Sequence, residues 1–339
     1  MVYSITIVGL GAAGILALAQ IPTERLSEVL VIEGSCIGGD LSSLYSGIFA
    51  NITKQMVETA FRNVPRWSSL AFPYLNAYKD NDCPKLGDVC RQMVELIRDD
   101  LQRVECRTAT VSSLTDNGET WSIQTTAGIF QSKKVLLCIG GVPKVLDIPR
   151  PSIPLHVALS KDCLANHVTP ADNVVVFGTS HSGTLILRNL KDIGVRNTTG
   201  VYVGKVPFVF ARDGHADGIK QESATIADEI LAKTWGDLTP TLMNYEDFGA
   251  MFRRTTQASR VIYAHGLQRR QLSCYDKEAK PIVLKHNPTN ATFEGYETRL
   301  WGFGLAYPST KENNGIVYPD IGFAGFITAI AASLPVILG

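Results

Sequence analysis

The sequence predicts an α/β protein with two doubly wound parallel-sheet domains. Two observations carry this reading. Residues 4–8 are a short apolar run, followed by Gly9-Leu10-Gly11-Ala12-Ala13-Gly14 and an alanine- and leucine-rich stretch to about Gln20. The same order restarts with the apolar run Asn173–Phe177, the turn Gly178-Thr179-Ser180-His181-Ser182-Gly183 and a helix over 184–191, its first glycine 169 residues after Gly9. At about 150 residues per domain, a chain of 339 has room for two.

The elements follow in order. A run bounded by glycine and apolar throughout reads as a parallel strand buried on both faces, which fits 4–8 and then 29–32, ending at Glu33. Val89, Met93, Leu96, Ile97 and Leu101 recur at helical spacing, predicting a helix over 86–101. Asp116-Asn117-Gly118 reads as a hairpin turn before Trp121–Thr125. A strand at 135–139 is closed by Gly140-Gly141-Val142-Pro143, and the prolines at 143, 149, 151 and 154 suggest a linker. A strand over 201–203 ends near Lys205. Residues 215–260 look mainly helical, most clearly over 219–233, and 269–308 show only weak short-strand periodicity. The chain closes with a strand at 316–318 and a helix over 322–333.

Composition narrows the functional classes. Hydrophobic residues make up 45% and charged residues 19%, as in ordinary globular domains rather than disordered chains. Lys+Arg and Asp+Glu both number 32, so no electrostatic footprint points to nucleic acid or to an anionic membrane. A small-molecule partner is expected. The cysteines at 36, 83, 90, 106, 138, 163 and 274 are odd in number and form no CxxC pair, which suits neither a disulfide framework nor a zinc site. Reduced thiols in a cytoplasmic protein are the expectation, with no bound metal. The sequons at Asn51, Asn197 and Asn290 carry no weight, since the start lacks the basic region of a secretory signal. Residues 2–21 and 321–339 are free of charge and near the ~20 residues of a membrane span. The first divides into strand, turn and helix, and the second holds Gly322, Gly325 and Pro335, so buried elements are expected. HExxH, Walker A and GxSxG motifs are absent.

The glycines carry the chemistry. In the dinucleotide fingerprint Gly9 permits a tight turn, Gly11 lets the backbone approach a pyrophosphate, and Gly14, after Ala13, lets helix and strand pack closely. The helix start offers unpaired N–H groups to phosphate, and Glu33, about 20 residues on, is placed to accept a ribose hydroxyl. In the second turn Gly178, Ser180, Ser182 and Gly183 repeat the pattern with serine at the middle position, and a purely structural strand–helix turn is the alternative. Lys205 is placed to meet a 2′-phosphate, which favours NADPH, or is a surface lysine. The motif at the start of the chain favours FAD, with the second turn for its reductant. His181 either touches pyrophosphate or faces solvent, and the arginines at 253, 254, 260, 269 and 270 read as a solvated basic face. Cys36 and Cys138 lack a neighbouring cysteine, which argues against a thiol–disulfide reductase.

Residues 31–56, VIEGSCIGGDLSSLYSGIFANITKQM, make the reading more specific. This stretch resembles the flavin-containing monooxygenases, in which the acidic residue is followed by Ile-Gly-Gly, a tyrosine and Asn-[ST]-x-Lys-[EQ]-Met. Gly38, Gly39, Tyr45 and Asn51 match in order. The Gly178–Gly183 turn is similar to that family's NADPH turn, and Gly140 to the glycine–proline turn closing its first FAD segment. His156 with Lys161-Asp162 is similar to the tail of its linker fingerprint. No Phe-x-Gly precedes His156, and LWGFGLAY (300–307) replaces the expected Ala-Thr-Gly-Tyr.

The resemblance implies two Rossmann-like domains: an FAD-binding domain over 1–160 plus 270–339, and an inserted NAD(P)H-binding domain over 161–269. It implies hydride transfer from NADPH to FAD, then capture of O₂ as a peroxyflavin that passes one oxygen to a soft nitrogen or sulfur nucleophile. Asn51 would then be the catalytic amide beside the flavin, with capping of a 53–61 helix as the alternative. The glycine-rich start at Gly322 is expected to bring the N-terminus of the last helix to the flavin. A flavin reductase or dehydrogenase without oxygen transfer, and a flavin-binding regulatory module with a degenerate second site, are the competing functions.

Overall fold

In the computed structural model, which describes residues 1–214, 218–313 and 316–339, the chain divides into two units. The first comprises Met1–Ser46, Lys54–Val142 and Gln268–Gly339, and the second Gly47–Thr53 and Pro143–Leu267.

The first unit is built on parallel strands in the spatial order Glu105–Thr108, Val29–Glu33, Val2–Val8, Gly128–Leu137, Leu300–Gly302. The long strand Gly128–Leu137 serves two purposes. Its second half joins the parallel set, while its first half pairs antiparallel with Trp121–Thr125, which pairs in turn with Val111–Asp116. The turn between the last two has Gly118 at φ +93°, and Asn117 N–H donates to Thr120 O at 2.9 Å, the expected hairpin. The helix Ala12–Gln20 is buried from Ala13 to Gln20. That explains a sequence with no polar stripe: other elements cover it all round. Ile15, Leu16 and Leu18 are fully enclosed, and such side chains contribute about 1.5–3 kcal/mol each.

Arg66 closes the far end of this helix. It donates to Ala19 O at 2.8 Å and Leu18 O at 3.2 Å, and pairs with buried Asp100 at 2.7 and 2.9 Å. A guanidinium there satisfies carbonyls that have no intrahelical donor and faces the negative end of the helix dipole. The region 86–101 forms the helix Leu86–Leu96 and a separate turn Arg98–Leu101, the break falling at Ile97.

The apolar C-terminal stretch is the helix Phe323–Leu338, longer than the 322–333 expected. It buries one face only, through Phe323, Phe326, Ile327, Ile330, Ser333 and Ile337, and Phe323 meets Phe61 edge to face at 5.8 Å. Lys134 Nζ donates to Val336 O and Ile337 O at 2.9 Å, and Arg25 to Leu338 O at 3.0 Å. Among the described residues, no helix is long and apolar enough to cross a membrane.

The second unit is a parallel sheet in the order Thr241–Asn244, Asn197–Tyr202, Asn173–Phe177, Arg260–Tyr263, Ser152–Ile153. The helices His181–Ile193, Gln221–Leu231 and Phe248–Gln257 connect its strands. Residues 218–260 are mainly helical, as expected, with one addition: Thr241–Asn244 is an edge strand, too short for its alternation to stand out. One expectation needs correction. Residues 143–160 fall in the second unit, because Ser152–Ile153 extends its sheet and Tyr263 Oη donates to Leu146 O at 3.0 Å.

His286 gives the first unit a pH dependence. Burial lowers its pKa to about 4, aided by Arg269 and opposed by a hydrogen bond with the Gly302 backbone. Its Nε2 is buried with no described partner. The native state therefore holds it neutral, whereas the unfolded chain protonates it near pH 6.5. Its contribution is complete above pH 6.5 and is lost as pH falls towards 4. Melting temperature should fall between pH 7 and pH 4.5, and His286→Phe should flatten that slope. An unchanged slope would show that His286 does not titrate on unfolding.

Candidate functional site

Both glycine turns lie at the carboxyl edge of a parallel sheet, beside the strand whose two neighbours continue the chain in opposite directions. Ligands bind at such switch points in open α/β sheets. In the first unit Val2–Val8 lies between Val29–Glu33 and Gly128–Leu137. In the second, Asn173–Phe177 lies between Asn197–Tyr202 and Arg260–Tyr263.

The three glycines of the first turn differ in why they must be glycine. Gly9 has φ +92°, and a Cβ there would come 2.5 Å from Cys138 O. A Cβ on Gly14 would sit 2.0 Å from Gly9 O. Both are fixed by packing inside the fold. Gly11 is different, since no described atom lies within 4 Å of the place its Cβ would take. Open space is what a group approaching from outside needs. Gly11 is also the N-cap of Ala12–Gln20, with no side-chain cap and no acidic residue in the first turn. The first N–H groups of that helix point out with the positive end of its dipole behind them. The site fits the pyrophosphate of a dinucleotide.

The surroundings agree. Glu33 accepts from Leu10 N–H with one carboxylate oxygen and from Ser35 N–H (2.9 Å) and Oγ (3.2 Å) with the other. A carboxylate has about four acceptor sites, so one remains for a hydroxyl. Gly38 (φ +96°) and Gly39 turn the chain back against this site, and a Cβ on Gly39 would stand 3.1 Å from Gly11 Cα. Tyr45 is half-buried, and burial followed by the Asp40 charge raises its pKa. Gly140 has φ +68°, and its carbonyl accepts from Arg270 N–H at 3.4 Å.

Three participants were not legible as such. Arg270, read as part of a solvated face, pairs with Asp40 at 2.7 Å. Gly304, within LWGFGLAY, has φ +80°, and a Cβ on it would lie 2.7 Å from Ala13 Cβ. Asp320 lies over the start of the last helix: Gly322 N–H donates to it at 3.4 Å, and a Cβ on Gly325 would overlap its carboxylate at 2.2 Å. The end of that helix read as open to a flavin is thus occupied by the chain's own carboxylate. An acid two residues before a glycine N-cap was the available signal.

The second turn repeats the first. Gly178 has φ +104°, with Ala264 O 2.4 Å from its would-be Cβ, and a Cβ on Gly183 would sit 2.0 Å from Gly178 O. Ser180 is the exposed N-cap of His181–Ile193 and makes no cap bond of its own. Ser182 is half-buried in the first turn of that helix. Lys205 is exposed, three residues beyond Asn197–Tyr202. His181 is not a solvent-facing turn residue: its Nε2 lies 2.8 Å from Phe49 O and its Nδ1 3.1 Å from Ser223 Oγ. Asn51 lies in the same unit, its Nδ2 donating to Gly218 O and its Oδ1 accepting from Lys220 N–H, both at 3.1 Å.

The thiols near the first turn are poorly suited to exchange chemistry, which needs a thiolate. Cys36 and Cys90 donate weakly to Gly39 O and Gly38 O at 3.8 Å. Burial, then the nearby Cys36, pushes the Cys90 thiol up to about 11. Burial pushes Cys138 higher still. Cys106 and Cys163 are exposed. Among the described residues, no group of three or more His, Cys, Asp or Glu could hold a metal ion.

No family model matches the chain. It is 24% identical to the monooxygenase AgnR1 of Paecilomyces divaricatus over 97% of this chain and 96% of that protein. Among solved structures it is similar to the flavin-containing monooxygenase from Stenotrophomonas maltophilia, with a TM-score of 0.64 at 14% identity over 99% of this chain and 98% of the other. It is also similar to a bacillithiol disulfide reductase from Staphylococcus aureus, with a TM-score of 0.62 at 12% identity over 99% of both chains. The chain has the fold of the two-dinucleotide-domain flavoproteins.

The geometry separates a binding glycine from a packing glycine. Gly11→Val should melt within about 1 kcal/mol of wild type without ligand, the scale of an N-cap change, and lose FAD affinity. Gly14→Ala should lower stability by about 1–3 kcal/mol through overpacking. Denaturant unfolding and FAD titration of each variant check this, and equal behaviour of the two would refute the distinction.

Proposed function

We propose that the chain is an FAD-dependent, NADPH-using oxidoreductase of the monooxygenase type, acting on a small molecule with a soft nitrogen or sulfur nucleophile and using O₂. The observation that carries this is the open backbone over Gly11 at an uncapped helix start, repeated in outline at Ser180. The sequence likeness to a named monooxygenase over nearly the full length supports the oxygen-using branch.

The flavin, when bound, supplies hydride acceptance and reaction with oxygen. The protein supplies position and charge. In the first unit the N–H groups after Gly11 hold the pyrophosphate, and Glu33 takes a ribose hydroxyl. Gly38, Gly39, Tyr45 and Gly140 complete the walls. In the second unit Gly178, Ser180, Ser182 and Gly183 hold the NADPH pyrophosphate, and Lys205 meets its 2′-phosphate. Asn51 is the side chain assigned to the oxygen step. An amide donates and accepts at once, so it can hold a reduced-oxygen species without handing over a proton. The exposed thiols Cys106 and Cys163 suit a reducing, cytoplasmic setting.

A reductase that stops at flavin reduction is the second reading, favoured by the near-equal structural likeness to a disulfide reductase, although the high thiol pKa of Cys90 counts against thiol exchange at that position. The visible spectrum of purified protein, before and after anaerobic NADPH, tests the proposal. Bound flavin should be present and should bleach. NADPH should bleach it faster than NADH, and Lys205→Ala should remove about ten- to a hundredfold of that preference, the range of one charge-assisted contact. A colourless protein that binds no added FAD would overturn the proposal. Flavin that NADPH cannot reduce would leave a regulatory module. Reduction followed by immediate peroxide release would favour the reductase.

A further inference from the structure

Gly47–Thr53 belongs to the second unit, although the sequence on either side of it belongs to the first. Within the second unit this segment is bound at two residues. Asn51 Nδ2 donates to Gly218 O, and Lys220 N–H donates to Asn51 Oδ1, each at 3.1 Å. Two residues earlier, Phe49 O lies 2.8 Å from His181 Nε2. A carbonyl only accepts, so Nε2 carries the proton and Nδ1 is the bare nitrogen. Ser223 Oγ, fully buried, lies 3.1 Å from Nδ1 and 2.8 Å from Lys220 O, and its single proton serves one of these two acceptors at a time. These contacts bring Phe49, His181, Ser223, Lys220 and Asn51 together in space.

We propose that Gly218 and His181 are positioning residues that fix the Asn51 amide in the orientation its reaction needs. The inference rests on the role given to Asn51 above. An amide has two N–H groups and two oxygen lone pairs. Gly218 and Lys220 take one of each, so one donor and one acceptor remain, aimed by the clamp rather than by free rotation. Positioning of that kind is what turns a polar side chain into a preorganised one.

Gly218 can present its carbonyl only as glycine. A Cβ on it would lie 2.3 Å from Ala211 N and 2.4 Å from the carbonyl carbon of Phe210, and backbone atoms cannot step aside as a flexible side chain can. The same backbone is tied across the loop, Ala211 N–H to Ile219 O at 3.1 Å and Ile219 N–H to Val209 O at 2.8 Å. A methyl group at 218 must therefore displace the carbonyl from Asn51. His181 stands at the first helical position after Ser180, so the residue that anchors Phe49 is part of the turn assigned to NADPH. Asn51→Asp would set a carboxylate against the Gly218 carbonyl and lose the clamp together with the donor.

The test uses the FAD-loaded full chain with Gly218→Ala, Asn51→Ala, the double variant, and His181→Ala beside His181→Gln, since glutamine can still donate to Phe49 O. Amide exchange reads the clamp. The Lys220 N–H should exchange about five- to tenfold faster in Gly218→Ala and in Asn51→Ala, the equivalent of one lost hydrogen bond. The rate in the double variant should be no faster than in Asn51→Ala. Substrate-free turnover reads the chemistry: NADPH, a proton and O₂ give NADP⁺ and H₂O₂. Peroxide release should rise in Gly218→Ala and in Asn51→Ala to the same level, without adding in the double variant, because residues acting through one group are not additive. It should rise in His181→Ala and return towards wild type in His181→Gln. Peroxide release that rises in Asn51→Ala but stays at the wild-type level in Gly218→Ala and His181→Ala would overturn the positioning role alone, as would effects that add. No change in Asn51→Ala itself would remove the role of Asn51, and the positioning role with it.

Discussion

The first unit depends on the absence of one side chain. Because Gly14 carries no Cβ, the helix Ala12–Gln20 can start against the carbonyl of Gly9, with 2.0 Å between that oxygen and where a methyl group would be. The helix can then sink far enough to be enclosed along its length. Its carboxyl end meets Arg66, and its amino end is left at the sheet edge without a cap. Gly183 and Gly178 repeat the arrangement to the same tenth of an ångström. The two units differ at the middle position, where Gly11 leaves bare backbone and Ser180 adds a hydroxymethyl group. A phosphate can come closer to the first turn than to the second.

What the sequence disclosed and what it withheld divide along sequence distance. The strand–turn–helix openings, the acid at Glu33 and the hairpin at 116–118 are local, and each depends on residues within one or two elements. The strand Thr241–Asn244 is short and lies at an edge, so neither its length nor its alternation separated it from the helices around it. Residues 143–160 look like a linker because four prolines interrupt them. Their place is set by Ser152–Ile153 pairing with a strand more than a hundred residues later, which no local pattern announces.

The candidate site follows the same rule. Gly9, Gly14, Gly178 and Gly183 were legible because each must satisfy a backbone or packing requirement that only glycine meets, and Gly11 because it stands at the middle position of the same fingerprint. Arg270 was not, because an arginine in a basic stretch looks the same whether it faces water or Asp40, 230 residues away in sequence. Asn51 was found by resemblance to a family segment, but its partners Gly218 and Lys220 lie 167 and 169 residues further on. Gly218 itself is an unremarked glycine in the sequence, and only the backbone packed against it reveals why nothing larger can stand there.

The distribution of thiols has a practical side. Cys106 lies in the first unit and Cys163 in the second, and both are exposed, whereas Cys90, Cys138 and Cys274 are buried. Partial burial holds the Cys106 thiol above its ordinary value, so it reacts more slowly than an unhindered thiol, and the buried ones are shielded from reagent. With the half-buried Cys36 replaced by serine, the chain can accept a donor dye and an acceptor dye, one on each unit. Energy transfer between them would make any nucleotide-driven movement of one unit against the other visible in real time.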